Sequence, residues 1–234
     1  MKHLNTYITE YIIKKKLDKP IDSEYKYHPQ TKEELIKNIK ELLYKRENDL
    51  NCIDTSAITD MSFLFLNINV IIDNIDLSNW NVSNVTTMEG LFNNCKKFNC
   101  DLSKWDVSNV KDMSYMFYNC GNFDCDLSNW DVSKVENMYT MFEGCSKFKG
   151  KGLENWNVSK VEDMQYMFVY CKNFTGKGLE NWNVSNVKHM NYMFFNCKVL
   201  NRDLNNWNVS KVTNTYDTFK KCLSLKNTPS WYTK

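Results

Sequence analysis

The chain has 234 residues, 42% of them hydrophobic, with seven Trp, 13 Tyr and 13 Phe; this is enough apolar material for a packed core and excludes wholesale disorder. Seven Gly and three Pro are too few for a collagen-like or linker-rich design, and 30 basic against 28 acidic residues leave a net charge of +2, too weak a field to select nucleic acid. The longest apolar runs, such as Val70-Ile71-Ile72, fall far short of a membrane span.

Residues 1–30 read as a leader and tether. Leu4, Tyr7, Ile8, Tyr11 and Ile12 make a short amphipathic helical pattern that ends at Lys19-Pro20. The segment has neither the continuous apolar stretch nor the small-residue cleavage site of a signal peptide. The expectation is a protein kept in a cytoplasm or packaged in a virion, with cell-surface display disfavoured. Residues 31–66 are predicted to form a helical N-terminal cap and half a repeat. Thr31-Lys32-Glu33-Glu34 is a capping box, and it opens a helix with Leu35, Ile36, Ile39, Leu42 and Leu43 on one face. In the half repeat, Asp54 to Phe65, Ile58 takes a slot that later belongs to Val, without a preceding Trp.

Residues 67–222 are an array of about six units of 25–26 residues. Trp80, Trp105, Trp130, Trp156, Trp182 and Trp207 keep that beat, and so do Cys95, Cys120, Cys145, Cys171, Cys197 and Cys222. Trp105 and Val107 alternate about Asp106, which predicts a short strand with one buried face. Ser108 then stands where a helix N-cap is wanted, and the capping box is complete in Ser133 with Glu136 and in Ser159 with Glu162. Val110, Met113, Met116, Phe117 and Cys120 follow at the spacing of one helix face. The expected fold class is therefore α/β: strand, turn, helix and return loop, stacked so that each unit covers the apolar face of its neighbour. Residues 223–234 are expected to cap the array, with Trp231 folding over its last open edge. Thr215 and Thr218 replace both Met positions in the final unit.

The motif Asp-Leu-Ser-x-Trp-Asp/Asn-Val-Ser-Asn/Lys-Val-x-x-Met-x-x-Met-Phe-x-x-Cys-x-x-Phe stands most cleanly at residues 101–123 and recurs through residue 222. It resembles the BspA-like leucine-rich-repeat surface proteins, and the resemblance covers roughly four-fifths of the chain. It implies a right-handed leucine-rich-repeat-like solenoid and an adhesin-like binding role.

The residues that catch the eye are expected to be core. The six periodic Cys are read as buried thiols, the paired Met as a core stripe, and the Trp column as packing. Asn81, Asn157, Asn183 and Asn208 head glycosylation triplets, yet Asp106 and Asp131 hold the same slot, so a turn-forming side chain is expected there. Asp101, Asp126 and Asp203 are read as turn formers, with ordered calcium the alternative. No phosphate loop, His-containing metal motif or activated nucleophile is present; no enzyme activity, catalytic residue, metal or cofactor is expected. Function is assigned to a scaffold that binds an unidentified protein or glycan through its surface, the alternatives being a structural or cargo component of a phage or virus particle and, last, an enzyme. Tyr115, Tyr139, Tyr166 and Tyr192, one per unit, are the candidate partner-binding residues; the competing reading packs them between adjacent helices.

Overall fold

The computed structural model describes residues 25–66, 68 and 75–232. The amphipathic leader, Leu4 to Ile12, lies outside the described residues. Among the described residues, regular helix is confined to α1, Lys32–Tyr44, and to two single 3-10 turns, Leu153–Asn155 and Leu179–Asn181. The start of α1 is set by its sequence: the Thr31 hydroxyl accepts the Glu34 N–H at 3.2 Å, and the Gln30 N–H reaches back to the Glu34 carboxylate at 2.7 Å. Glu33 and Glu34 in the first turn suit the positive end of the helix dipole. Leu35, Ile39, Leu42 and Leu43 are buried, so α1 closes the leading end of the core.

Among the described residues the units contain no α-helix, and single parallel bridges run along them in a row, Asp60↔Thr87↔Asp112↔Asn137↔Asp163↔His189↔Asn214. The expected α/β solenoid of strand–turn–helix units is overturned: each repeat is a coil of consecutive tight turns. The segment predicted to be helical shows why. The Met116, Tyr118 and Cys120 N–H groups bond within the coil, to the carbonyls of Met113, Tyr115 and Phe117 at 2.9–3.2 Å. The intervening N–H groups of Met113, Tyr115, Phe117 and Asn119 point across, to Asn137, Tyr139, Met141 and Glu143 of the next coil at 2.6–3.0 Å. An α-helix would consume all of these donors internally and leave none to join the coils. Tyr115 (φ 56°) and Asn119 (φ 58°) take the left-handed conformation that the third residue of a type II turn requires.

The predicted strand is likewise a turn. The Ser108 N–H donates to the Asp106 carboxylate at 3.0 Å, and the Val110 N–H closes on the Val107 carbonyl at 2.9 Å. Ser108 is thus the donor in an Asx turn and caps no helix. The two capping boxes also head no helix: the Glu136 and Glu162 N–H groups bond the carbonyls of Lys111 and Glu136, one coil back, at 2.8 Å.

Stacking then puts identical side chains into columns. Phe65, Phe92, Phe117, Phe142, Phe168, Phe194 and Phe219 stack at centroid spacings of 5.4–5.7 Å. Phe98, Phe123, Phe148 and Phe174 form a second column, each ring 3.9–4.4 Å from its partner in the first. The predicted helix face of Val110, Met113, Met116, Phe117 and Cys120 is wholly buried, because turns with i to i+3 closure also return a residue to the same side every third position. No helix among the described residues is long and apolar enough to cross a membrane.

Candidate interaction surface

The periodic Trp and Cys lie inside. The Trp rings are 2–4% exposed, and Trp80 stacks on Trp105 at 6.4 Å with an interplanar angle of 2°. Each indole N–H donates one coil back to a Leu carbonyl: Trp80 to Leu50, Trp105 to Leu77, Trp130 to Leu102, Trp156 to Leu127, Trp182 to Leu153 and Trp207 to Leu179, at 2.8–3.3 Å. Trp231 extends the column, 6.1 Å from Trp207, with its N–H on Leu204 at 2.8 Å. The Cys column behaves alike. Cys120, Cys145, Cys171, Cys197 and Cys222 donate S–H to the carbonyls of Phe92, Phe117, Phe142, Phe168 and Phe194 at 2.9–3.0 Å. Cys95, in the first full coil, bonds Asn93 instead, at 3.7 Å. Burial pushes these thiols up, to about 12 for Cys95 and Cys222 and well above the ordinary value for those between; such groups are poor nucleophiles and poor metal ligands.

The acidic and amide slots hold the turns. Asp101, Asp126 and Asp203 accept the backbone N–H two residues on, at 2.9–3.0 Å, and Asn81, Asn157, Asn183 and Asn208 do the same at 3.1–3.2 Å. Among the described residues, no group of three or more His, Cys, Asp or Glu is placed to hold a metal ion.

The four candidate tyrosines meet on one surface. Tyr115 and Tyr139 have centroids 5.1 Å apart, Tyr139 and Tyr166 5.7 Å, and Tyr166 and Tyr192 5.0 Å. The first two contacts are edge-to-face and the third is stacked at 7°. All four rings are half-buried, and they pack on one another with no helix between them. Local backbone geometry makes the alignment possible. Tyr115, Tyr166 and Tyr192 occupy the left-handed turn position, with φ of 56–59°. In the unit between, Thr140 holds that position and Tyr139 comes one residue earlier, anchored by its N–H on the Asn137 side chain at 3.0 Å.

The strip continues beyond these four. Tyr216 lies 5.4 Å from Tyr192 and is 56% exposed; its N–H bonds Asn214 at 2.8 Å, as Tyr139 does to Asn137. It was legible in principle, since it stands in the Tyr139 slot of the last unit. Tyr118 and Phe195 flank the strip, 6.1 Å from Tyr115 and 5.8 Å from Tyr192. Acidic groups border it. Burial, then the Tyr139 hydroxyl, then Glu89 and Glu143, push the Tyr115 phenol up to about 12. Burial also raises Glu143, and raises Glu89 with help from Asp112 and Asp60.

A family model described as "Mycoplasma protein of unknown function, DUF285" matches residues 33–152 and again residues 137–234. No curated protein and no solved structure matches the chain. The two matched stretches overlap and together take in every unit just described, so the chain belongs to this family, a repeat family of unknown function.

Proposed function

We propose that the chain is a non-enzymatic repeat scaffold that binds a protein partner over the tyrosine strip. The observation that carries this reading is the continuity of Tyr115, Tyr139, Tyr166, Tyr192 and Tyr216 across five coils. The repeated Trp, Phe, Met and Cys slots are buried, which leaves partner choice to positions that differ between units. Half-exposed Tyr rings with few side-chain torsions are good interface anchors. Glu89, Glu143 and Asp217 act on the strip electrostatically, so the fitting partner brings Arg or Lys over the rings.

The test pairs binding with stability. Capture from the native source is compared for the wild type and for Tyr139→Ser combined with Tyr166→Ser. The expected result is at least tenfold loss of a defined set of proteins, with each substitution costing no more than about 1 kcal/mol for its lost ring contacts. Equal capture by both proteins sinks the reading, and so does global unfolding of the double variant.

A further inference from the structure

The tyrosine strip has both a period and a charged border. Successive rings from Tyr115 to Tyr192 are 5.0–5.7 Å apart. Side chains on one face of an α-helix recur once per turn, about every 5.4 Å. On one face of a β-strand they recur about every 6.7 Å, and along a polyproline helix about every 9 Å. Of the three, the α-helix alone keeps step with the rings. The rings also form no flat platform. Tyr115 meets Tyr139 at 67° and Tyr139 meets Tyr166 at 71°, so faces and edges alternate along the strip. A row of flat sugar rings stacks poorly on such a surface, whereas a cationic head fits against each single face.

Carboxylates without cations border the rings. Asp112 and Asp163 lie three residues before Tyr115 and Tyr166, in one row joined through Asn137. Asp112 accepts the Ser114 backbone N–H at 2.8 Å and the Asn137 side-chain N–H at 3.1 Å. Asp163 accepts the backbone and side-chain N–H groups of Gln165, both at 2.9 Å. These neutral donors fix the two carboxylates without cancelling their charge. Glu143 follows Tyr139 by four residues, and Glu89 holds the slot that Tyr139 fills two coils later; both act on the Tyr115 phenol. Among the described residues, none of these four carboxylates forms an ion pair. Lysines of neighbouring slots are engaged elsewhere, Lys32 with Asp60, Lys188 with Glu162 and Lys220 with Asp217, at 2.6–3.2 Å. The adjoining row of Lys111, Glu136, Glu162 and Lys188 balances its own charge. We infer that the strip docks an α-helix of a partner protein carrying Arg or Lys at one position per turn, each cationic head held between a tyrosine face and a bordering carboxylate. This inference rests on the strip being the partner surface, and it names the element that the surface takes.

The probe is a blocked, Ala-based peptide of about 18 residues, long enough to form helix in water, with four Arg at i, i+4, i+7 and i+11. One control has the same composition with two of the Arg moved to the opposite face. A second control keeps the one-face spacing and carries two interior Pro, which break the helix. Titration calorimetry on the full chain at constant ionic strength measures each affinity, and tyrosine ring NMR signals report where the peptide lies. The one-face helix should bind at least about tenfold tighter than either control. Tyr139→Ser combined with Tyr166→Ser should weaken it at least about tenfold, and Glu143→Gln, at an unchanged thermal midpoint, about threefold. Equal affinities for the three peptides, no binding at millimolar peptide, or displacement of the peptide by a β-linked glucose oligomer overturns the proposal. Capture from the native source separates the two failures. If capture depends on Tyr139 and Tyr166 while the peptides fail, the strip stands and the helix falls; if it does not depend on them, both fall.

Discussion

At the scale of single residues, the repeated side chains are chosen for a polar atom as much as for volume. The Leu153 carbonyl accepts the Trp156 backbone N–H at 3.2 Å and the Trp182 indole N–H at 2.9 Å. The Phe142 carbonyl does the same for the Cys145 N–H and the Cys171 thiol. Both lone pairs of a buried carbonyl are therefore used, one within the coil and one by its neighbour. This explains Trp where Phe would stack equally well. Trp182→Phe keeps the aromatic column but removes the second bond, and because the carbonyl retains its first partner, that loss is about 1 kcal/mol. The smaller ring adds a packing deficit of about the same size. Urea denaturation should show a total loss of about 2 kcal/mol. A loss below about 0.5 kcal/mol would mean that the indole N–H contributes nothing beyond its ring.

At the scale of the element, the decisive fact is where alternate N–H groups point. A helix and a chain of tight turns bury the same apolar positions, so Val110, Met113, Met116, Phe117 and Cys120 could not separate the two by pattern. The separating signal lay in residues that tolerate positive φ: Gly90 and Gly144, and Asn94, Asn119 and Asn196, at fixed places in successive units. Gly144 gives a test by sign. In a helix interior, Gly→Ala would stabilise by up to about 1 kcal/mol. Here Gly144 has φ of 77°, and an added Cβ would meet the Asn119 Cα at 3.1 Å and its side-chain oxygen at 3.2 Å. Gly144→Ala should therefore lower stability by about 1–2 kcal/mol, seen as a fall in the thermal midpoint; a rise would restore the helical reading. The α1 cap was legible because its signal is local, in Thr31 and Glu34. The period and the tyrosine slots were also legible. Ring-to-ring contact along the strip was not, because it depends on how the turns of successive coils stack.

At the scale of the whole molecule, stacking concentrates one chemical group. Cys95, Cys120, Cys125, Cys145, Cys171, Cys197 and Cys222 are all buried, and burial is the first cause lifting each thiol above its ordinary value of 9.0. Cys95, Cys125 and Cys222 rise to about 12 and the other four go well above the ordinary value. In the unfolded chain the same thiols ionise near their ordinary value. Above pH 9 the unfolded state therefore binds fewer protons than the folded one, and stability falls as pH rises. Each thiol contributes about 1.4 kcal/mol per pH unit in that window and nothing well below it. Seven acting together lose roughly 10 kcal/mol per unit, comparable to the whole stability of a typical domain. The expected behaviour is cooperative alkaline unfolding between about pH 9 and 10.5, followed by tryptophan fluorescence at constant ionic strength. Replacing Cys145 and Cys171 with Ala should cost stability at pH 7 through lost packing, yet reduce the steepness of the alkaline transition by two protons. A urea midpoint that stays constant from pH 8 to 10, or a steepness unchanged in that variant, would show that the buried thiol column does not set the alkaline limit of the fold.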